Sequence, residues 1–101
     1  MNQATLSRSG DGRLTISGEF GFATASSLLT QGAKLVNQGQ DLTIDLSGVT
    51  SSDSAGLALM LEWMDQFRAA GQQLHFLNVP ESLLEIARVS NLADLLPLAK
   101  N

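Results

Sequence analysis

The chain has 101 residues, no cysteine and a formal net charge of −4, and 44% of its residues are apolar. Its length predicts a single domain over residues 1–101, and its basic residues are too scattered to form the cluster that nucleic acid or an anionic membrane surface requires. The lack of cysteine excludes disulfides, a thiolate nucleophile and cysteine-based zinc sites. No segment approaches the roughly 20 apolar residues of a membrane span, so we expect a cytoplasmic protein without membrane insertion.

The N-terminal half begins with two short segments of alternating polarity, residues 4–8 and 14–18. The glycines between them suit a tight turn, which predicts a β-hairpin. Residues 22–38 then have helical spacing. The side of this helix that we expect to be buried carries Phe22, Ala25, Leu29 and Val36, and Gly39 is expected to end it.

A short apolar segment, residues 42–46, is predicted to be a strand bounded by Gly39 and Gly48. Because it lies between two helical segments, we expect a central strand of a mixed sheet, reached by a crossover connection. Residues 73–77 read as another strand. A third helix is expected to begin near Pro80, and the residues from 91 onward favour a short helix or turn over an edge strand.

The second helix, which follows residues 51–56, is the most apolar. One apolar stripe at helical spacing is enough to pack this helix against a sheet. The stripe consists of Leu57, Met60, Leu61, Met64 and Phe67. Leu59 and Trp63 extend the apolar arc beyond that stripe. They predict either a surface covered by a partner protein or packing at the margin of the core.

The residue types that common active sites require are missing from this sequence. His75 is the single histidine, so a Ser-His-Asp site has no evident base, and phosphate-binding glycine motifs are absent. Asp45 and Asp53 lack neighbouring ligands for a metal ion and are expected to be solvated surface acids. We therefore expect no catalytic residues, no cofactor and no metal, and a small module that works by binding.

Ser52, Asp53 and Ser54 stand where the central strand gives way to the apolar helix. Small hydroxyl and carboxylate residues at such a position are typical of a helix N-terminus. One interpretation is that Asp53 or Ser52 merely caps the helix. The other is that Ser54 is an exposed hydroxyl that contacts a partner or accepts a phosphoryl group.

This region resembles the signature of the STAS family, the domain of sulphate transporters and anti-sigma factor antagonists. The resemblance is carried by residues 42–50, with the sequence LTIDLSGVT, and by residues 52–61, with the sequence SDSAGLALML. It extends over about residues 6–87. It implies an α/β fold with a mixed β-sheet packed by helices on one side, and it makes Ser54 the possible phosphorylation site of an antagonist regulated by an anti-sigma factor kinase.

The leucine-rich helix and short C-terminal segment are most similar to the small cytoplasmic STAS subunit of the Mla phospholipid-transport system. That resemblance implies an accessory subunit that binds the ATPase of an ABC transporter maintaining lipid asymmetry. Through the ATPase it would associate with the membrane permease and lie peripherally on the inner membrane. The partner-binding residues would be Ser52, Asp53, Ser54, Ala55, Gly56, Leu59 and Trp63. The alternative function is an anti-sigma factor antagonist.

Overall fold

The computed structural model describes residues 4–8, 12–36 and 40–99. The predicted hairpin turn and Gly39 fall partly or wholly outside these residues. Four strands form one mixed sheet in the order β1-β2-β3-β4, where β1 pairs antiparallel with β2 and the other two pairings are parallel. These strands are β1 (Ala4–Arg8), β2 (Arg13–Phe20), β3 (Leu42–Ser52) and β4 (Leu74–Leu77). The predicted mixed sheet is confirmed.

Three helices accompany the sheet: α1 (Ala25–Val36) between β2 and β3, α2 (Ser54–Ala69) between β3 and β4, and α3 (Glu81–Val89) after β4. Each parallel pairing is therefore bridged by a helical crossover, which the sequence predicted for the connection into β3. None of the helices in the described part of the chain has the length and apolar character needed to cross a bilayer.

The core lies against one face of the sheet. On β2 the side chains of Leu14 and Ile16 are buried, whereas Arg13 and Ser17, which alternate with them, are exposed. This period of two is what a strand covered by helices on one face requires. The apolar faces of α2 and α3 complete the same core.

β3 is longer than predicted, because it continues through Gly48 as far as Ser52. Its register against β2 shifts twice, between Thr15 and Ser17 and between Gly18 and Glu19. A β-carbon at Gly48 would lie 2.5 Å from Ser17 Oγ. Glycine is therefore needed here for close approach of two strands at a bulge, and not for a turn.

The first helix begins later than predicted. α1 starts at Ala25, and Phe22 lies in the preceding turn with 85% of its surface exposed. The fully buried positions of α1 are Leu28 and Gly32. The placement of Phe22 on the buried side was therefore wrong, because the helix periodicity does not extend back to it.

The C-terminal segment combines both structures that the sequence allowed. Ala93–Leu95 form one turn of 3-10 helix, and Leu98 makes an isolated parallel bridge to Phe76 of β4. Two backbone hydrogen bonds hold this bridge: Phe76 N–H donates to Pro97 O at 2.9 Å, and Ala99 N–H donates to Phe76 O at 2.7 Å.

Candidate functional site: the N-terminus of α2

Asp53 caps α2. Its backbone is extended, with φ −148° and ψ −172°, and its Oδ1 accepts hydrogen bonds from the N–H groups of Ala55 at 2.9 Å and Gly56 at 3.3 Å. These are donors that the first turn of a helix leaves without partners. The capping role of Asp53 is confirmed, so its carboxylate is committed to backbone contacts and is not simply solvated.

The same carboxylate holds the loop between β2 and α1. The backbone N–H of Phe22 donates to Asp53 Oδ2 at 3.1 Å and to Oδ1 at 3.2 Å. A β-carbon on Gly21 would lie 2.5 Å from Asp53 Oδ1, so this approach requires glycine. Thr24 braces the loop, since its hydroxyl donates to Glu19 O at 2.9 Å. Asp53 therefore fixes two segments to each other.

Gly56 was predicted to contact a partner, but it is buried in the first turn of α2. A β-carbon there would lie 2.5 Å from the carbonyl oxygen of Phe20. The absence of a side chain lets α2 approach the end of β2 closely. Gly56 thus determines where the neighbouring exposed residues lie, and it contributes no side chain of its own to the surface.

Ser54 is the first residue of α2 and is exposed. Within the described residues its hydroxyl makes no hydrogen bond. Ser52 is half-buried, and its hydroxyl lies 2.8 Å from that of Ser82 in the first turn of α3. The two hydroxyls therefore differ: Ser52 connects β3 to α3, whereas Ser54 is free to meet another molecule.

Phe22 is the surface residue that sequence reasoning missed at this end of the molecule. Its ring is largely exposed. Its backbone N–H is held by Asp53, the residue that immediately precedes Ser54. The sequence feature that could have revealed this is Thr24. Hydroxyl residues often stand directly before a helix, so a helix that begins after Thr24 leaves Phe22 outside it.

A shallow groove between α1 and α2 begins at this end. Its lining is mostly apolar and consists of Ala25, Ser26, Leu29, Ala55, Ala58, Leu59 and Glu62. Ala55, one of the predicted partner-binding residues, is half-buried in its wall. Ala55 of the groove follows Ser54 in α2, and Ala25 follows the loop that carries Phe22. We call Ser54, Phe22 and this groove together the Ser54 end.

Leu59 and Trp63 do not extend an exposed apolar face. They are only 4% and 1% exposed, respectively, because α1 covers them. The indole of Trp63 packs against Gly32 of α1, and its ring centroid lies 6.0 Å from that of Phe20. The alternative to a partner-covered surface was packing at the margin of the core. The two side chains do pack within the chain's own core, but inside it and not at its margin, and only the edge of Leu59 reaches the groove.

Asp45 was expected to be a solvated surface acid, but it is buried in β3. Its burial alone would raise the pKa, yet hydrogen bonds from the amide of Asn78 at 3.0 Å and from the backbone N–H of Ser47 at 2.9 Å outweigh burial and lower the pKa below 3.8. His75 is half-buried in β4. Among the described residues no three His, Cys, Asp or Glu side chains lie close enough together to hold a metal ion.

The fold is similar to that of several solved anti-sigma factor antagonists. One, from Mycobacterium paratuberculosis, aligns with TM-score 0.76 and 20% identity over 100% of this chain and 87% of that one. SpoIIAA in its unphosphorylated form gives TM-score 0.72 and 16% identity over 98% and 90%. A STAS domain protein from Planctomyces limnophilus gives 0.71 and 15% over 96% and 91%. At these identities the likeness shows an α/β STAS fold.

The family model described as "Mlab, STAS domain" matches residues 4–97. The chain therefore belongs to this family, which agrees with the resemblance of residues 42–61. No curated protein sequence matches the chain.

Proposed function

We propose that this chain is a non-catalytic accessory subunit of an ABC transporter that moves phospholipids between the inner and outer membranes. It binds the ATPase subunit through the Ser54 end, supports that subunit, and associates with the membrane permease through it. On this proposal it works on the cytoplasmic face of the inner membrane. Membership of the Mlab family supports the proposal, and the arrangement of Ser54 and Phe22 on one rigid exposed end is the observation that carries it.

The construction of the Ser54 end supports a binding role. Asp53 fixes both the first turn of α2 and the loop that carries Phe22, so the backbone under the two exposed side chains is positioned before any partner arrives. A surface ordered in advance loses little conformational entropy on association. The small Ser54 and Ala55 also allow another backbone to come close.

The test is purification of tagged variants from gently solubilised membranes of the native cells. We expect the wild-type chain to bring an ABC ATPase and its permease with it, and Ser54→Arg to lose both, because an unpaired charge is poorly tolerated in a buried contact. Ser90→Arg is the matched control, since Ser90 is an exposed serine at the far end of α3. Failure of the wild type to recover an ATPase, or full recovery by Ser54→Arg, would contradict the proposal.

The exposed hydroxyl of Ser54 favours one alternative, an anti-sigma factor antagonist switched by an anti-sigma factor kinase. A phosphoryl group would bring about −1.5 to −2 charges to this surface and would alter docking. Mass spectrometry of protein from its own cells separates the two functions. Stoichiometric phosphate on Ser54 with a co-purifying kinase favours the antagonist, and an unmodified Ser54 with a co-purifying ABC ATPase favours the transporter subunit.

A further inference from the structure

The Ser54 end carries acidic side chains and no basic ones. Glu62 lines the groove between α1 and α2, and Glu19 lines an adjoining concavity with Ser52 and Asp53. Neither lining includes lysine or arginine. Among the described residues, Glu19 and Glu62 form no ion pair, and the carboxylate of Glu62 accepts a hydrogen bond only from the neutral amide of Gln66, at 3.3 Å.

The basic residues of the described chain belong to the opposite end of the sheet. Arg13 pairs with Thr43 at the beginning of β3, and Arg8 lies opposite Leu14 in the neighbouring strand. The remaining three stand in the last turns of the helices, as Lys34, Arg68 and Arg88. Each of these helices follows a strand that ends at the same edge of the sheet as β3, so its last turn lies away from the Ser54 end. Arg68 is ion-paired with Asp65, and Arg88 with Glu81 and Glu85, so among the described residues no lysine or arginine neutralises Glu19 or Glu62.

Phe22 places a large exposed aromatic side chain at the acidic end. The side chain of Phe22 is 85% exposed, and its backbone N–H is held by Asp53. Large aromatic side chains held on rigid backbone and surrounded by polar groups are typical of the residues that dominate binding energy in protein interfaces.

We propose that the Ser54 end recognises a basic patch on the ATPase subunit, in which an apolar pocket receives Phe22 and Lys or Arg side chains face Glu19 and Glu62. This inference rests on the proposed function and adds the chemistry by which the partner is recognised. A second copy of the chain is a poor occupant, because two such ends would bring like charges together.

The first experiment measures the affinity of the purified chain for the ABC ATPase that co-purifies with it. Phe22→Ala is expected to raise Kd at least about tenfold, as truncation of a central aromatic anchor does. The matched control is Val89→Ala, since Val89 is 86% exposed at the far end of α3. It is expected to leave Kd within about twofold of wild type.

The second experiment measures the association rate over a range of salt concentrations. Attraction between an acidic end and a basic patch predicts a rate that falls as salt increases, and Glu62→Lys should slow association and flatten that dependence. The control is Asp94→Lys, an exposed carboxylate in the C-terminal 3-10 turn, which should preserve both.

These outcomes distinguish failure of the proposed function from failure of the proposed recognition of a basic patch. No binding by the wild-type chain would overturn the proposed function, and the inference with it. If the wild type binds but Phe22→Ala and Glu62→Lys bind equally well, the proposed function stands and the inference alone is overturned. A dimer of the isolated chain that Phe22→Ala dissolves would assign the surface to a second copy and would also overturn it.

Discussion

The carboxylate of Asp53 accepts a hydrogen bond from the backbone N–H of Phe22, a residue 31 positions earlier in the chain, and it also caps α2. A single side chain thus holds both segments from which the Ser54 end is built. The contribution of Asp53 to the free energy of unfolding and its contribution to partner binding can be measured separately.

Replacement of Asp53 tests this arrangement. Asp53→Ala removes the cap and the bond to the loop, and we expect it to lower the free energy of unfolding by about 1–2 kcal/mol. Urea denaturation measures the loss, with Asp94→Ala as an exposed carboxylate control. If the two variants had the same free energy of unfolding, the hydrogen bonds of Asp53 would contribute no more to stability than the hydration of an exposed carboxylate.

Substitutions of Ser54 should spare the fold. Because Ser54 is exposed and its hydroxyl makes no hydrogen bond within the described residues, Ser54→Ala and Ser54→Arg are each expected to change the free energy of unfolding by no more than about 0.5 kcal/mol. Thermal and urea denaturation check this. A strongly destabilised Ser54→Arg would mean that its failure to bind a partner reports unfolding and not a lost contact.

The contact between Gly32 and Trp63 predicts a coupled pair. A β-carbon at Gly32 would meet the buried indole, so Gly32→Ala is expected to destabilise the protein by about 1–3 kcal/mol despite the better helix propensity of alanine. Trp63→Phe removes the five-membered part of the indole that a β-carbon at Gly32 would meet. Gly32→Ala should therefore lower the free energy of unfolding by less in the Trp63→Phe variant than in the wild type. A double-mutant cycle by urea denaturation measures the coupling.

Thr30→Ala provides the control for that cycle. Thr30 is exposed on α1, so the effect of its substitution should be the same with Trp or Phe at position 63. If Gly32→Ala were equally insensitive to residue 63, close contact with the indole would not explain the glycine.

Asp45 predicts a pH dependence of stability. Its pKa is lower in the folded protein than the ordinary 3.8, because the hydrogen bonds from Asn78 and Ser47 outweigh the effect of burial. Ionised Asp45 therefore stabilises the fold above pH 3.8, and this stabilisation is lost as the pH falls through the lower folded-state pKa. Asp45→Asn should be less stable than wild type at neutral pH, and the difference should shrink in acid.

Urea denaturation between neutral pH and pH 3 measures this difference. Asp94→Asn, at an exposed carboxylate, serves as the control and should differ little from wild type across the range. A constant gap between Asp45→Asn and wild type at every pH would contradict the assignment of the stabilisation to the ionised carboxylate.

Much of the sheet could be predicted, because alternation and helical spacing are local signals. Residues 42–46 were recognised as a central strand, but its extension to Ser52 was not, since Gly48 has the same appearance in a sequence whether it makes a turn or admits a neighbouring strand. The distinction depends on Ser17, which is remote along the chain.

The Ser54 end was predictable only in part. The capping residue follows from the local motif around Asp53, whereas the exposure of Phe22 and the burial of Trp63 depend on where α1 begins and which face of it meets α2. Hydrophobicity alone assigns both aromatic side chains to the core. Their separation requires the tertiary position of Gly32, which admits one ring, and of Gly21, which lets Asp53 approach the backbone that carries the other.

The pairing of residues 97–99 with Phe76 has a consequence for how the protein behaves at high concentration. An unpaired strand edge is a template on which further chains can add and grow into fibrils. Residues 97–99 occupy that template at Phe76 of β4. A chain shortened after Leu96, which itself belongs to the core, should therefore scatter more light on storage than the full chain, so residues 97–99 act as a guard against polymerisation.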